Sequence, residues 1–237
     1  MDNLTVNYIH DVNLRRSFID YLSALVLEKR LALFKKNLRN RTRYIAVVLE
    51  DIYQSQNASA VLRTCDCLGI QDIHVIENEN QFSVNSEVDM GASKWLNIYR
   101  YNGELNNTSC AIRVLKEKGY RIVATTPHDE GISIRDFNVE KGKFALFFGT
   151  ELTGLSDNAI AMADEYVKIP MYGFTESYNI SVSVALSLYE FVHRLRGAKA
   201  DLSVPNDEAE LILLAWLRAS IKGCNLVEKR FLEEYFK

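Results

Sequence analysis

The sequence is poor in the features that mark secreted, membrane-spanning and disordered proteins. Its 237 residues include only 3 prolines and 11 glycines, which leaves little room for flexible linkers. No apolar run approaches the roughly 20 residues that a membrane-spanning helix needs. The N-terminus also lacks the basic and apolar regions of a signal peptide. We therefore expect a cytoplasmic protein with no membrane association.

Two chemistries lack their sequence signatures: metal binding through cysteine, and dinucleotide binding. The four cysteines form no CxxC pair and no Cys/His zinc spacing, so reduced structural thiols and no metal site are expected. A dinucleotide-dependent oxidoreductase would need a glycine-rich turn after its first strand. The segment YIAVVLEDIYQSQNAS contains no glycine, which argues against that class.

The net charge of −3 hides a strongly basic N-terminal segment. Residues 1–43 contain nine Lys/Arg and four Asp/Glu, a net charge of +5, whereas residues 44–237 contain nineteen and twenty-seven, a net charge of −8. Such a segment favours contacts with RNA phosphates, whose affinity depends on local charge. A basic, solvent-exposed helix face without a ligand is the alternative. The candidate RNA-binding residues are Lys35, Lys36, Arg39, Arg41 and Arg43.

Hydrophobic periodicity predicts an α/β domain between two helical extensions. Alternating strands and helices in the middle of the chain predict a parallel sheet flanked by helices. The predicted strands are 44–50, 72–77, 95–101, 121–126, 144–148 and 166–171. The predicted domains are a basic, RNA-binding helical extension at 1–43, a catalytic domain at 44–197 and a helical extension at 198–237.

Three segments that lie near the ends of predicted strands carry polar side chains. The first, QNASAVLRT, opens a helix predicted over 59–69 with Asn57 and carries Arg63 within it. In one interpretation Asn57 caps the helix and Arg63 extends from an apolar face into solvent. In the other, both face a cleft and bind a phosphate or a hydroxyl group.

The second and third segments add an acid and a set of small polar residues. In FFGTELTGLS, Gly149 allows a ligand to approach the backbone closely, and Glu151 suits a cationic ligand. In IPMYGFTESYNISVS, Ser177 and Asn179 precede a long apolar helix. Helix capping explains one of these polar residues, whereas hydrogen bonds to a ligand explain the set.

In this order and spacing, the three segments resemble the three motifs of the SpoU/TrmH family of SPOUT methyltransferases. The resemblance covers residues 44–197. It implies the SPOUT α/β-knot, a parallel sheet flanked by helices that ends in a deep C-terminal trefoil knot. It also implies a homodimer with its active site across the interface. The cofactor would be S-adenosylmethionine (SAM), and the methyl acceptor a ribose 2′-hydroxyl of RNA.

The resemblance assigns roles residue by residue. Arg63 matches the catalytic arginine of the family, and Asn57 matches the asparagine that supports it. Lys94, in a Gly/Ser-rich loop, is a further candidate for contact with RNA. The residues that match the cofactor site are Gly149, Thr150, Glu151, Ile169, Met171, Ser177, Asn179 and Ile180.

The role of Arg63 stays open between two alternatives, because an arginine side chain is ordinarily always protonated. Burial and a neighbouring positive group could make Arg63 the general base. Alternatively, Arg63 orients the nucleotide while another group or water accepts the proton.

The basic helical N-terminus extends the resemblance toward the branch of the family that acts on guanosine in tRNA. Ribosomal-RNA members usually carry a larger N-terminal domain than the 43 residues found before this core. We therefore expect methylation of guanosine 18 in the tRNA D-loop. An rRNA 2′-O-methyltransferase and a non-catalytic knotted RNA-binding protein are the alternatives.

Overall fold

The structure of the protein, a computed structural model, describes most of the chain. The described parts are residue 8 and residues 10–127, 131–198 and 200–236. The chain divides into two compact units. Met1–Arg41 and Ser203–Lys237 together form the smaller unit, and Thr42–Leu202 forms the larger unit.

Helices and parallel strands alternate through the larger unit, and helices alone make up the smaller one. The helices are α1 (Val12–Ser23), α2 (Glu28–Leu38), α3 (Ser55–Leu68), α4 (Ser86–Asp89), α5 (Asn107–Glu117), α6 (Asp157–Met162), α7 (Ile180–Gly197), α8 (Asn206–Ser220) and α9 (Cys224–Tyr235), with a 3-10 helix at Ala92–Trp95. The strands are β1 (Ile45–Glu50), β2 (Asp72–Ile76), β3 (Asn97–Tyr101), β4 (Arg121–Thr125), β5 (Ile132–Ser133), β6 (Phe144–Phe148) and β7 (Glu165–Lys168).

The seven strands form one parallel sheet in the order β3-β2-β1-β6-β4-β7-β5. The central strands β1 and β6 are buried along their whole length. Such continuous apolar strands are typical of parallel sheets that helices cover on both faces. The α/β fold with a parallel sheet, predicted from the alternation of strands and helices, is thus confirmed.

Alternate residues of β1 pack against helices on opposite faces of the sheet. Val47 and Leu49 lie in a core cluster with residues of α3 and α7. Ala46 and Val48 lie in a second cluster with residues of α5. This division follows from the two-residue period of a strand, and it places α3 and α7 on the same face.

The smaller unit is a helical core made from both ends of the chain. Phe18 of α1 is fully buried, and its ring lies 4.8 Å from that of Phe231 in α9. The buried guanidinium of Arg15 pairs with Glu210 of α8 at 2.7 Å. Apolar packing and this largely buried ion pair therefore join helices that are about 200 residues apart in sequence.

The structure corrects three local predictions from the sequence. Helix α3 begins at Ser55, four residues before the predicted start. Strand β7 ends at Lys168, three residues before the predicted end. The two-residue strand β5 was not predicted, because so short a segment has no measurable periodicity. No helix in the described part of the chain is long and apolar enough to cross a membrane.

Candidate active site

Strand register brings the first two polar segments together at the carboxyl edge of the sheet. Leu49 of β1 pairs with Phe148 of β6, so Glu50 and Gly149 leave neighbouring strands side by side. The carboxyl edge of a parallel sheet is where α/β proteins bind ligands. Helices α7 and α3 pack against each other on one face, which brings the start of α7 to the same place.

The side chain of Asn57 joins all three segments through hydrogen bonds. Its amide nitrogen donates to Glu151 Oε1 at 2.5 Å and to Gln54 Oε1 at 3.1 Å. Its amide oxygen accepts from Asn179 Nδ2 at 3.1 Å. Asn57 is nearly buried, with 8% of its surface exposed. The residues that the sequence singled out from three separate segments therefore meet at one side chain.

Asn57 does not cap its helix, which removes one of the two interpretations of this residue. The N-cap of α3 is Gln54, and Asn57 lies inside the first turn. Asn179 is a cap: its side-chain oxygen accepts from the backbone N–H of Ser181 at 2.9 Å, at the start of α7. The side-chain oxygen of Asn179 thus caps α7, and its side-chain nitrogen donates to Asn57.

The loop after β6 closes on itself immediately beyond Gly149. The backbone N–H groups of Thr150 and Gly154 each donate to the carbonyl of the other, at 2.9 and 3.1 Å. A Cβ at Gly149 would lie 2.1 Å from the backbone of Gly154. Glycine is therefore required here for the loop's own turn, apart from any ligand. Glu151 lies in this exposed loop, where it accepts the hydrogen bond from Asn57.

The loop between β7 and α7 is exposed and has unused hydrogen-bonding groups. Ile169 and Met171 are partly buried, Ser177 is exposed, and Ile180 is buried in the first turn of α7. Within the part of the chain that the structure describes, the backbone of residues 171–178 makes no hydrogen bond. The loop therefore offers backbone donors and acceptors next to Asn179, which is linked to Glu151 through Asn57.

Arg63 lies outside the Asn57 network, on the exposed side of α3. Among the described residues, its guanidinium has no hydrogen-bond or ion-pair partner, so it is available to a ligand. The 3-10 helix that carries Lys94 packs against α3. Both cations therefore belong to neighbouring elements of the larger unit.

The predicted RNA-binding residues of the N-terminal segment divide into two groups. Lys35, Lys36 and Arg39 are exposed at the end of α2. Arg41 is buried, with its guanidinium 5.1 Å from the ring centroid of Trp216. Arg43 Nε lies 3.2 Å from a carboxylate oxygen of Asp72. Arg41 and Arg43 thus have partners within the protein, and the first three supply the exposed charge.

Sequence reasoning missed two polar residues at this edge. Gln54 contacts Asn57, but one glutamine in a polar loop carries no signal of its own. Glu50 does carry a signal in the sequence, because it is an acid at the end of an otherwise apolar, buried strand. A buried carboxylate needs several hydrogen bonds, so its position predicts specific partners.

Comparison with known proteins shows the family. Residues 44–189 match the sequence profile of the SpoU rRNA Methylase family. The chain belongs to the SpoU methylase family. It is therefore an enzyme that methylates RNA, and the matched residues include all three polar segments.

Two relatives and one solved structure show the extent of the similarity. The tRNA (guanosine(18)-2'-O)-methyltransferase of Borreliella burgdorferi is 44% identical over 210 residues, 89% of this chain and 94% of the relative. The protein of that name in Thermus thermophilus is 34% identical over 81% of this chain and 97% of its own. The crystal structure of the A. aeolicus TrmH/SpoU tRNA modifying enzyme has a TM-score of 0.73 at 29% identity, covering 82% of this chain and 98% of that chain.

Proposed function

We propose that the protein transfers a methyl group from SAM to the ribose 2′-hydroxyl of guanosine 18 in tRNA. The observation that carries the proposal is the hydrogen-bonded junction of Asn57, Glu151 and Asn179. Relatives that share more than a third of their residues with this chain, over most of its length, carry the name of that activity. Methylation of ribosomal RNA by the same site is the alternative.

The chemistry of the loops fits SAM, whose sulfonium is cationic and whose amino-acid and adenine parts need hydrogen bonds. Glu151 supplies exposed negative charge, and residues 171–178 supply free backbone groups. The residues that would hold the cofactor are Gly149, Thr150, Glu151, Ile169, Met171, Ser177, Asn179 and Ile180. When bound, SAM supplies an electrophilic methyl group for direct transfer.

Arg63 is the residue of this site that we assign to the ribose. Its exposed guanidinium can donate hydrogen bonds to the ribose or the adjoining phosphate and so align the 2′-oxygen. Asn57 then acts by keeping α3 in register with the loop of Glu151. Because the guanidinium is exposed and has no described partner, the second alternative is better supported, in which Arg63 orients the nucleotide and another group accepts the proton.

The proposal also includes a knotted backbone and a homodimer. A deep trefoil knot, which the resemblance to the family implies, would pass the chain that follows β7 through a loop formed by the preceding strands and helices. A crystal structure with an unknotted backbone trace would contradict this part of the proposal.

A homodimer would cover the exposed apolar face of α7. Val182, Leu186 and Tyr189 are exposed on one side of this helix, whereas Leu188 and Phe191 are buried in the core. Sedimentation velocity should therefore give a dimer, and Leu186→Glu should shift it to monomer with an unchanged circular dichroism spectrum. A wild-type protein that sediments as a monomer at micromolar concentration would rule out this assembly.

The substrate is tested with methyl-labelled SAM and unmodified tRNA transcripts. The transcript with guanosine 18 should be labelled, and one with adenosine 18 should not. Arg63→Ala should reduce the rate at least about 100-fold, a loss typical when the reacting groups are no longer held in alignment. The matched control is Arg113→Ala, which removes an exposed arginine from a different helix, α5. This variant should keep the wild-type rate.

Equal labelling of both transcripts would refute guanosine 18 as the target. Label that enters ribosomal RNA and not tRNA would establish the alternative substrate. No labelling of either RNA would favour a non-catalytic RNA-binding protein.

A further inference from the structure

Glu50, the last residue of β1, is a buried carboxylate that accepts three hydrogen bonds. Only 2% of its surface is exposed. Oε1 accepts from Thr108 Oγ1 at 2.5 Å and from Ser156 Oγ at 2.8 Å. Oε2 accepts from the backbone N–H of Ser156 at 2.9 Å. One carboxylate therefore fixes both the backbone and the side chain of Ser156 and ties them to the start of α5.

The donors around Glu50 are arranged for a group that only accepts hydrogen bonds. Thr108 Oγ1 already accepts from Asn78 Nδ2 at 3.0 Å, and Ser156 Oγ accepts from the backbone N–H of Ala159 at 3.1 Å. Each hydroxyl therefore directs its proton to Glu50. In the described part of the chain Glu50 has no ion-pair partner. Three neutral donors therefore stabilise its buried carboxylate in place of a cation.

Ser156 is the far end of the loop that carries Glu151. The near end is fixed by β6, and the pair of backbone hydrogen bonds between Thr150 and Gly154 holds the loop between them. If Ser156 loses Glu50, the far end of this loop is no longer hydrogen-bonded to β1. The position of Glu151, and through it the contact with Asn57, then depends more on the hydrogen bonds between Thr150 and residues 153 and 154.

We propose that Glu50 is a positioning residue for the cofactor site, which it organises through Ser156 and the loop of residues 149–156. The inference rests on the proposed function, because that loop is the one assigned to SAM. Glu50 itself does not contact the Asn57 network. Its effect reaches SAM through the loop.

The test compares Glu50→Gln with Glu77→Gln. Glu77 immediately follows β2, the neighbouring strand, and is 9% exposed. It also accepts several hydrogen bonds, including one from the backbone N–H of Phe82 at 2.8 Å. Its side chain accepts from Phe82, Arg100 and Asn102, and none of these residues belongs to the 149–156 loop. Both variants remove a buried negative charge at the same edge, but only Glu50→Gln should loosen the loop. The whole chain is used throughout.

Two readouts are measured: amide hydrogen exchange of the peptide spanning 149–156, and the Kd for SAM by calorimetry. Glu50→Gln should speed exchange in that peptide and raise the Kd about tenfold, which is 1.4 kcal/mol. Glu77→Gln should leave both values within about twofold of wild type. Thr108→Val removes one donor, leaves the carboxylate in place and should raise the Kd by a smaller factor.

A Glu50→Gln protein with wild-type exchange and a wild-type Kd would overturn the proposal. Equal losses in Glu77→Gln would also overturn it, since the effect would then be general destabilisation. If Glu50→Gln does not fold, the smaller effect of Thr108→Val on the same two readouts decides. A wild-type protein that does not bind SAM would refute the proposed function, while the exchange comparison would still report on the loop.

Discussion

At the scale of single residues, asparagine is the side chain that the position of Asn57 requires. The amide donates to Glu151 and Gln54 and accepts from Asn179, so it uses a donor and an acceptor at once. An aspartate there would place a second carboxylate against Glu151, and like charges at that distance repel. The network therefore explains the identity of this residue as well as its location.

Exchanging the two groups of the Asn57–Glu151 pair tests this contact. Asn57→Asp and Glu151→Gln should each lower the free energy of unfolding, measured by urea denaturation. The double variant restores a carboxylate facing an amide, so we expect about 1 to 3 kcal/mol of favourable coupling. Strictly additive losses would mean that the two side chains do not interact.

His74 is the clearest case of a titratable side chain kept neutral by its surroundings. Its ring is buried and stacks on Tyr99 at 4.7 Å, and Nδ1 lies 2.8 Å from the hydroxyl of Tyr101. Burial, together with the positive charges of Lys118 and Arg43, lowers the pKa of His74 to about 3. His74 is therefore neutral in the folded protein at physiological pH.

The shift in His74 makes stability depend on pH. An unfolded histidine has a pKa near 6.5, so below that pH the unfolded chain binds a proton that the folded chain does not. The contribution of His74 to the free energy of unfolding is fully present above about pH 6.5. It falls toward pH 3, by at most about 1.4 kcal/mol per pH unit. His74→Phe should flatten the profile between pH 6.5 and 4. His193→Phe, which removes an exposed histidine, should not.

Unfolding free energies measured across this range decide the point. The same slope in wild type and His74→Phe would show that His74 titrates normally in the folded state.

At the scale of the structural elements, the loop after β6 depends on glycine at its first position. The Cβ of any other residue at 149 would overlap the backbone of Gly154. Gly149→Ala should therefore lower the free energy of unfolding by more than about 2 kcal/mol, because the close turn must open. Gly173→Ala is the matched control, since nothing lies within 4 Å of its added Cβ. Equal stability of the two variants would contradict the structure of this turn.

The end of helix α2 is the element to which we assign binding of tRNA phosphates. Replacing Lys35, Lys36 and Arg39 by alanine should weaken tRNA binding and reduce the slope of log Kd against log salt, since fewer counterions are released. Lys222→Ala with Lys229→Ala removes exposed charge from the other end of the chain and should leave the slope unchanged. If the control pair reduces the slope of log Kd against log salt equally, the end of α2 is not a specific site for tRNA phosphates.

Element types could be predicted from the sequence, whereas several element ends could not. The apolar strands β1 and β6 have buried residues throughout, and that pattern is unambiguous. The start of α3 was misplaced, because its N-cap Gln54 makes no side-chain capping hydrogen bond and so leaves no signal. At α6, by contrast, Ser156 Oγ accepts from the backbone N–H of Ala159 at 3.1 Å, and serine is a residue type that marks a helix start in a sequence.

At the scale of the whole molecule, contacts between distant segments are what the sequence could not supply. The order of the strands places β1 beside β6, and only that pairing makes Glu50 and Ser156 neighbours. The smaller unit likewise depends on Arg15 meeting Glu210, which no local pattern predicts. The resemblance of the three motifs supplied the site residues without their geometry, and the roles of those residues remain predictions.

We propose that this RNA methyltransferase acts on guanosine 18 of tRNA. The most direct measurement is to incubate the purified protein with SAM and an unmodified tRNA transcript and to map every 2′-O-methylated nucleotide by mass spectrometry of nuclease fragments. We predict one methylated nucleotide, guanosine 18, with a rate at least about 100-fold lower when Arg63→Ala replaces the wild type. Methylation at any other position, or at guanosine 18 at an equal rate with Arg63→Ala, would contradict it.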